Sequence, residues 1–345
     1  MIDSALVAAA FDLGRPTSPM TPVASGNINQ IARLTTGRGT FAVKVMNPDP
    51  NDSGFVDHIE RAFLFERAAF DAGIAAPRPV PTTDGRCLAT IPRAGAPDAL
   101  VRVHEWVEGT ALQQIVYPPP TATRIGEIIA GAHALRFLPG SDTGEWLRVF
   151  GAAHWDALAE RIERSDYDWA WQYRAMLPYV AQLESLVIAA RNESEAPIMG
   201  HRDADAKNFL QTPDGALILV DWDQAGPVLP QHELASLALR WGGVVLGEPS
   251  ALVVRAFVDG YRSGGGDVDA FRETDCAEFV SAMMGWYELS ARRALGETVG
   301  DASSQPDDKA LAELRTSGAT AVLRGFANLR RFAASTPRWT TLLNA

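Results

Sequence analysis

Residues 198–227 read IMGHRDADAKNFLQTPDGALILVDWDQAGP. They carry His201, Asp203 and Asn208 in the spacing HxDxxxxN, then a gap of hairpin length, then an apolar run ending at Asp221. Thr212-Pro-Asp-Gly215 is a turn sequence between two short apolar stretches, 208–211 and 216–220, which should pair as a β-hairpin. A loop of that size brings Asn208 and Asp221 close together, so that both side chains can offer oxygen to one hard cation. Phosphoryl transfer from ATP needs one carboxylate to accept the acceptor's hydroxyl proton, and an amide and a second carboxylate to hold Mg2+ against the triphosphate. In that reading Asp203 is the proton acceptor, and Asn208 and Asp221 are the metal ligands.

The lysines point the same way. Of 31 basic residues only Lys44, Lys207 and Lys309 are lysine, so the choice of lysine within FAVKVM, residues 41–46, is informative. That run is β-branched and apolar and follows Thr35-Thr-Gly-Arg-Gly39, a hairpin turn signal. Lys44 therefore sits inside a strand, where a compact ammonium can reach α- and β-phosphate oxygens if a carboxylate holds it in place. Residues 55–73 have helical periodicity through Ile59, Ala62, Phe63 and Ala69 and stop at Gly73. They offer Glu60 and Glu66, which lie about 240° apart around a helix, so only one can face the lysine. Glu60 is the expected partner, with Glu66 in solvent.

Over residues 22–241 the chain resembles the aminoglycoside phosphotransferase and choline kinase-like group of small-molecule kinases. The resemblance rests on HRDADAKN and VDWDQAGP, supported by AVKV, by AGIAAPRPV at 72–80 and by LVRVHEWVEG at 100–109. It implies an α+β, bilobal protein-kinase-like fold, with a small β-rich N-terminal lobe at 1–107 and a larger, mainly helical C-terminal lobe at 108–345. It also implies backbone contacts from Glu105 and Val107 to adenine, and an approach of Ser25, Gly26 and Asn27 to the β- and γ-phosphates. The chain departs from the family pattern in three places. Arg202 stands where Gly is usual between His and Asp, Ala204 follows Asp203 in place of a larger apolar residue, and HELA with Glu233 replaces a YDLA-like helix start. None of these removes a reacting group, and Arg202 either braces the loop or meets an anionic acceptor.

At 345 residues and 47% apolar content the chain can bury two cores. The apolar start, residues 5–11, is too short to span a bilayer, and Asp3 precedes it where a signal peptide needs positive charge, so no membrane partner is expected. Two distant cysteines, Cys87 and Cys276, suggest neither a disulfide framework nor a metal cluster, and a reducing cytoplasm is the expected compartment. A net charge of −11 argues against nucleic acid and suits a cationic acceptor. Strands should dominate residues 20–107 and helices the chain from 123 onward.

The acceptor should be a small hydroxylated, cationic molecule such as an aminoglycoside or a basic peptide antibiotic. Asp205 and Asp223, which flank the reacting groups, are its candidate contacts, with Arg202 as a third. The acidic and aromatic residues of the helical half, among them Asp156, Trp171 and Glu288, read mostly as a solvated face over a tryptophan-rich core. Two alternatives stay open: a housekeeping kinase for choline, homoserine or a similar alcohol, and a nucleotide-binding regulator without activity. A regulator would have no need of Asp203.

Overall fold

Side-chain alternation along residues 30–46 builds the first sheet and decides where Lys44 points. In the computed structural model, which describes residues 2–23, 29–48, 53–113, 117–140, 146–193, 196–297 and 307–345, the chain divides into two compact units. One contains residues 1–113 and 201–226, the other 114–200 and 227–345.

In the first unit, α1 (Ser4–Ala10) and β1 (Thr21–Pro22) precede the hairpin of β2 (Gln30–Thr36) and β3 (Gly39–Met46). Then come α2 (Phe55–Asp71), β4 (Pro79–Val80), β5 (Ala89–Arg93), β6 (Ala96–Glu105) and β7 (Thr110–Ala111). The antiparallel sheet runs β1-β2-β3-β6-β4, with β5 also paired to β6. Successive strand residues face opposite sides. Phe41, Val43 and Val45 of β3 and Val101 and Val103 of β6 form one core with Val7 and Phe11, in and just after α1. Met46 faces the other way and packs with Ile59 and Phe63 of α2. Each such side chain contributes about 1.5–3 kcal/mol on full burial. Lys44 and Arg102 fall on the α2 side, and the strand register sets them directly opposite one another.

Within 201–226 the expected hairpin forms. The strand β9 (Phe209–Gln211) pairs antiparallel with β10 (Leu217–Leu219), and β7 adds to the outer edge of β9. The turn closes through the Thr212 N–H to the Ala216 carbonyl at 2.9 Å, with Gly215 at φ +88°, a conformation that suits glycine.

The second unit is mainly helical. It holds α3 (Pro119–Ala134), α4 (Ala152–Glu163), α5 (Ala170–Arg191), α6 (Pro230–Trp241), α7 (Ala251–Ser263), α8 (Ala277–Ala294) and α9 (Asp308–Leu343). Strand β8 (Ile198–Gly200) pairs with β11 (Gly226–Val228). Helices dominate from residue 119, close to the expected 123, and α9 is the longest of them. Gly318 and Gly325, inside α9, are places of close approach. A Cβ at 318 would lie 2.4 Å from the backbone nitrogen of Ala294, and one at 325 would lie 2.8 Å from the Tyr287 ring. Asp307 caps the helix by accepting the Ala310 N–H at 2.7 Å. Glu233, whose position departs from the family pattern, is fully buried and bonded to His133 at 2.6 Å. Among the described residues no helix is long and apolar enough to cross a membrane.

Candidate active site

The loop that precedes β9 is held by its first residue. His201 is buried, and its Nδ1 accepts the Asp203 N–H at 3.3 Å. That bond leaves Nε2 as the nitrogen that donates, to the Val220 carbonyl at 3.2 Å. One ring thus joins the residue before Asp221 to the backbone of Asp203. The ring also lies against Trp222, whose indole N–H bonds to the Leu219 carbonyl at 3.0 Å and whose other neighbour is Phe65 of α2.

Asn208 is buried and donates Nδ2–H to both the carbonyl and the carboxylate of Asp203, at 2.7 and 2.8 Å. Because the nitrogen makes both bonds, Oδ1 is the amide atom left to accept a proton or hold a cation. The Val220 N–H bonds to the Asn208 carbonyl at 2.8 Å, which sets Asp221 one residue beyond the hairpin pairing. Asp221 adopts a left-handed conformation, φ 64° and ψ 59°, which aspartate tolerates better than most residues. Asp221 is partly exposed, with its carboxylate 2.6 Å from Lys44. One amide oxygen and one carboxylate form an oxygen-only donor set of the kind Mg2+ takes. Lys207 stands 3.0 Å from Asp203 on the solvent side.

The partner of Lys44 is not Glu60. Both oxygens of the Glu60 carboxylate accept the one backbone N–H of Cys87, at 2.9 and 3.0 Å, so it serves the loop before β5. Lys44 is paired instead with Asp221 and Asp223. Burial alone would lower the Lys44 pKa, but the adjacent Asp223 and Asp221 charges outweigh it and raise it. Glu66, expected in solvent, is fully buried, bonded to Arg102 and 3.0 Å from His104. Burial pushes its carboxyl up, and the charges of His104 and Arg102 reverse that and hold it below the usual range.

Asp223 needs a similar correction. It is 6% exposed, and its two carboxylate oxygens go separately to Arg102 and Lys44, so it is an internal counterion rather than an acceptor contact. Its backbone carbonyl is bonded to His58 at 2.8 Å. Arg202 is half-buried at φ +64°, in the region where the family's glycine carries no strain. Its guanidinium passes close over Gly226, where a Cβ would lie 2.7 Å away. Asp205 is half-buried at the start of the helical turn 206–208. Glu105 uses its N–H on the Arg78 carbonyl at 2.9 Å, so any contact from Glu105 to a base must be through its carbonyl; Val107 is half-buried two residues on. Ser25, Gly26 and Asn27 lie outside the described residues.

Arg102, Glu66 and His104 were not among the expected site residues. The signal for them was present: VRVHE alternates apolar and polar residues, which puts Arg102 and His104 on one face, the face of Lys44. In the second unit a cavity of about 330 Å3, lined by Trp171, Met176, Phe326 and Arg330, holds none of the expected site residues.

A β-rich unit with a buried strand lysine, joined to a loop-hairpin segment bearing Asp203, Asn208 and Asp221, has the layout of a protein-kinase-like fold. The chain belongs to the Phosphotransferase enzyme family, whose sequence profile matches residues 19–271. It is therefore a phosphotransferase acting on hydroxyl groups of small molecules. Curated protein sequences offer no match to it. Among solved structures it is similar to an aminoglycoside phosphotransferase from Alicyclobacillus acidocaldarius, at 15% identity and a TM-score of 0.59 over 98% of this chain and 97% of that one. An amicoumacin kinase bound to AMP-PNP, Ca2+ and Ami matches at 16%, TM-score 0.60, over 90% of each chain. A choline kinase from Streptococcus pneumoniae matches at 17%, TM-score 0.56, over 93% and 95%. At these identities the likeness is one of fold.

The buried ion pairs predict an acid-sensitive core. Burial would push the Asp223 carboxyl up, but Arg102 and Lys44 bring it down to about 2 from an ordinary 3.8. A carboxylate with a depressed folded pKa stabilises fully above its unfolded value and loses that contribution as pH falls through the folded one. Asp223 should therefore contribute about 2 kcal/mol above pH 4, and that contribution should fade as pH falls through about 2. Urea unfolding of wild type and Asp223→Asn from pH 6 to 2 checks this. The stability difference between them should shrink as the medium is acidified.

Proposed function

We propose that this phosphotransferase uses ATP and Mg2+ and phosphorylates a hydroxyl of a small, cationic molecule such as an aminoglycoside or a basic peptide antibiotic, which would make it a resistance enzyme. The observation that carries the reading is the Asn208 amide, which gives its nitrogen to Asp203 and keeps Oδ1 to accept, on the hairpin that leads to Asp221. Mg2+ held by Asn208 and Asp221 would neutralise charge on the triphosphate. Lys44 would donate to α- and β-phosphate oxygens, since two of its three N–H groups are engaged by Asp221 and Asp223 and the third can point to a ligand. Asp203, oriented by Asn208, would accept the hydroxyl proton of the acceptor as the new O–P bond forms. The Glu105 carbonyl and the Val107 N–H would meet the adenine edge.

A cationic acceptor is supported by the net charge of −11 and by the fold neighbours, whose names include an aminoglycoside phosphotransferase and a choline kinase. The choline kinase likeness equally suits a metabolic kinase for a small amino alcohol. Offering aminoglycosides, basic peptide antibiotics, choline and homoserine to the purified protein with Mg2+ and ATP, while ADP release is followed, separates the two.

Asp203→Ala should lower kcat by roughly 10²- to 10⁴-fold while MgATP still binds; a collapse of ATP affinity with turnover intact would reverse the assignment. Asp221→Ala should remove metal-dependent nucleotide binding, read by calorimetry with and without Mg2+. Acceptor KM should climb as the Debye length shrinks from about 10 Å at 0.1 M salt to about 3 Å at 1 M, with the KM for MgATP changing less. Asp205→Asn should flatten the acceptor's dependence. A best acceptor that is neutral or anionic would move Arg202 into the acceptor site.

A further inference from the structure

Lys44 and Arg102 are directly opposed on β3 and β6, and both are buried, at 8% and 1% exposure. Like charges facing each other across a ladder repel, and burial removes the water that would screen them. Two carboxylates resolve the conflict. Asp223 gives Oδ1 to Arg102 and Oδ2 to Lys44, so a single side chain bridges the two cations. Glu66 takes the other end of the Arg102 guanidinium, with His104 beside it. Lys44, Arg102, Asp223 and Glu66 form a chain of two positive and two negative charges that is neutral in itself. Asp221, the second contact of Lys44, is the surplus carboxylate, and it is the more exposed one. Asp223 is also fixed from outside the chain, by His58 on its carbonyl and by the Asn29 amide at 3.4 Å from Oδ2.

We propose that Asp223, clamped by Arg102, is the carboxylate that positions the Lys44 ammonium for nucleotide phosphates, and that Glu66 of α2 acts one step further back, on Arg102. This rests on Lys44 being a phosphate contact. The helix carboxylate then has no direct hold on the lysine. Its effect passes through the guanidinium, whose planar fork can keep Asp223 and Glu66 at fixed positions at its two ends, as a second lysine could not. Asp223 and Glu66 are positioning residues, and Asp221 remains free to serve a cation because Lys44 does not depend on it alone.

The test is a double-mutant comparison of MgATP affinity by calorimetry, with kcat measured alongside. Asp223→Asn should weaken MgATP binding about 10- to 100-fold and Glu66→Gln by a smaller factor, because each leaves a buried cation short of its partner. On a Lys44→Met background the same substitutions should add less than about threefold, since residues that act through one another are non-additive. Glu60→Gln should weaken binding less than Glu66→Gln. Equal losses with and without Lys44, or an Asp223→Asn variant that raises only the acceptor KM, would overturn the proposal. If Asp223→Asn does not fold, as a thermal melt would show, the Glu66→Gln and Lys44→Met pair decides by the same criterion. A wild-type protein that binds no MgATP would instead remove the nucleotide reading of Lys44, and this proposal with it.

Discussion

Two cations buried on neighbouring strands need carboxylates between them, and much of the first unit is arranged to supply these. Asp223 comes from the segment after the hairpin and Glu66 from α2, so one guanidinium ties together β6, the helix and the loop-hairpin segment. Removing either acid would strand a charge in a place where desolvation is costly. The network is therefore unforgiving, which is a useful property around groups that must be held to fractions of an ångström.

The same segment stores backbone strain. Arg202 and Asp221, one on each side of the hairpin, both sit at φ 64°. Each has a tethered neighbour: His201 bonds the loop to the strand end, and Trp222 packs against both the His201 ring and Phe65. Non-glycine residues in that region cost on the order of 1–3 kcal/mol and persist where the surroundings over-determine them. The left-handed turn at Asp221 ends β10 and brings its carboxylate to Lys44.

Family membership and local geometry answer different questions. The profile match establishes phosphotransfer, and the neighbours at 15–17% identity share the fold with enzymes named for quite different acceptors. One fold therefore serves several acceptors, and this chain departs from the family pattern in the loop around Asp203. The substitution of Arg202 for glycine is the most conspicuous departure inside it, and its side chain lies along Gly226.

The sequence by itself determined the reaction class, the β-then-helix order of the elements and the hairpin between Asn208 and Asp221, because each is a matter of local spacing: turn chemistry, period-two alternation and a short loop. It could not choose between Glu60 and Glu66. Both are on the same helix, and the choice depends on which finds a backbone N–H and which finds a guanidinium, a question of tertiary distance. Nor could it show that Asp223 faces inward, since a charged residue beside a reacting group reads as solvent-facing until its counterions are seen. The glycines of α9 are a further case. A glycine that allows two helices to touch has the same letter as one that ends a helix, and only the packed structure, where a Cβ at 318 would collide with α8, tells them apart.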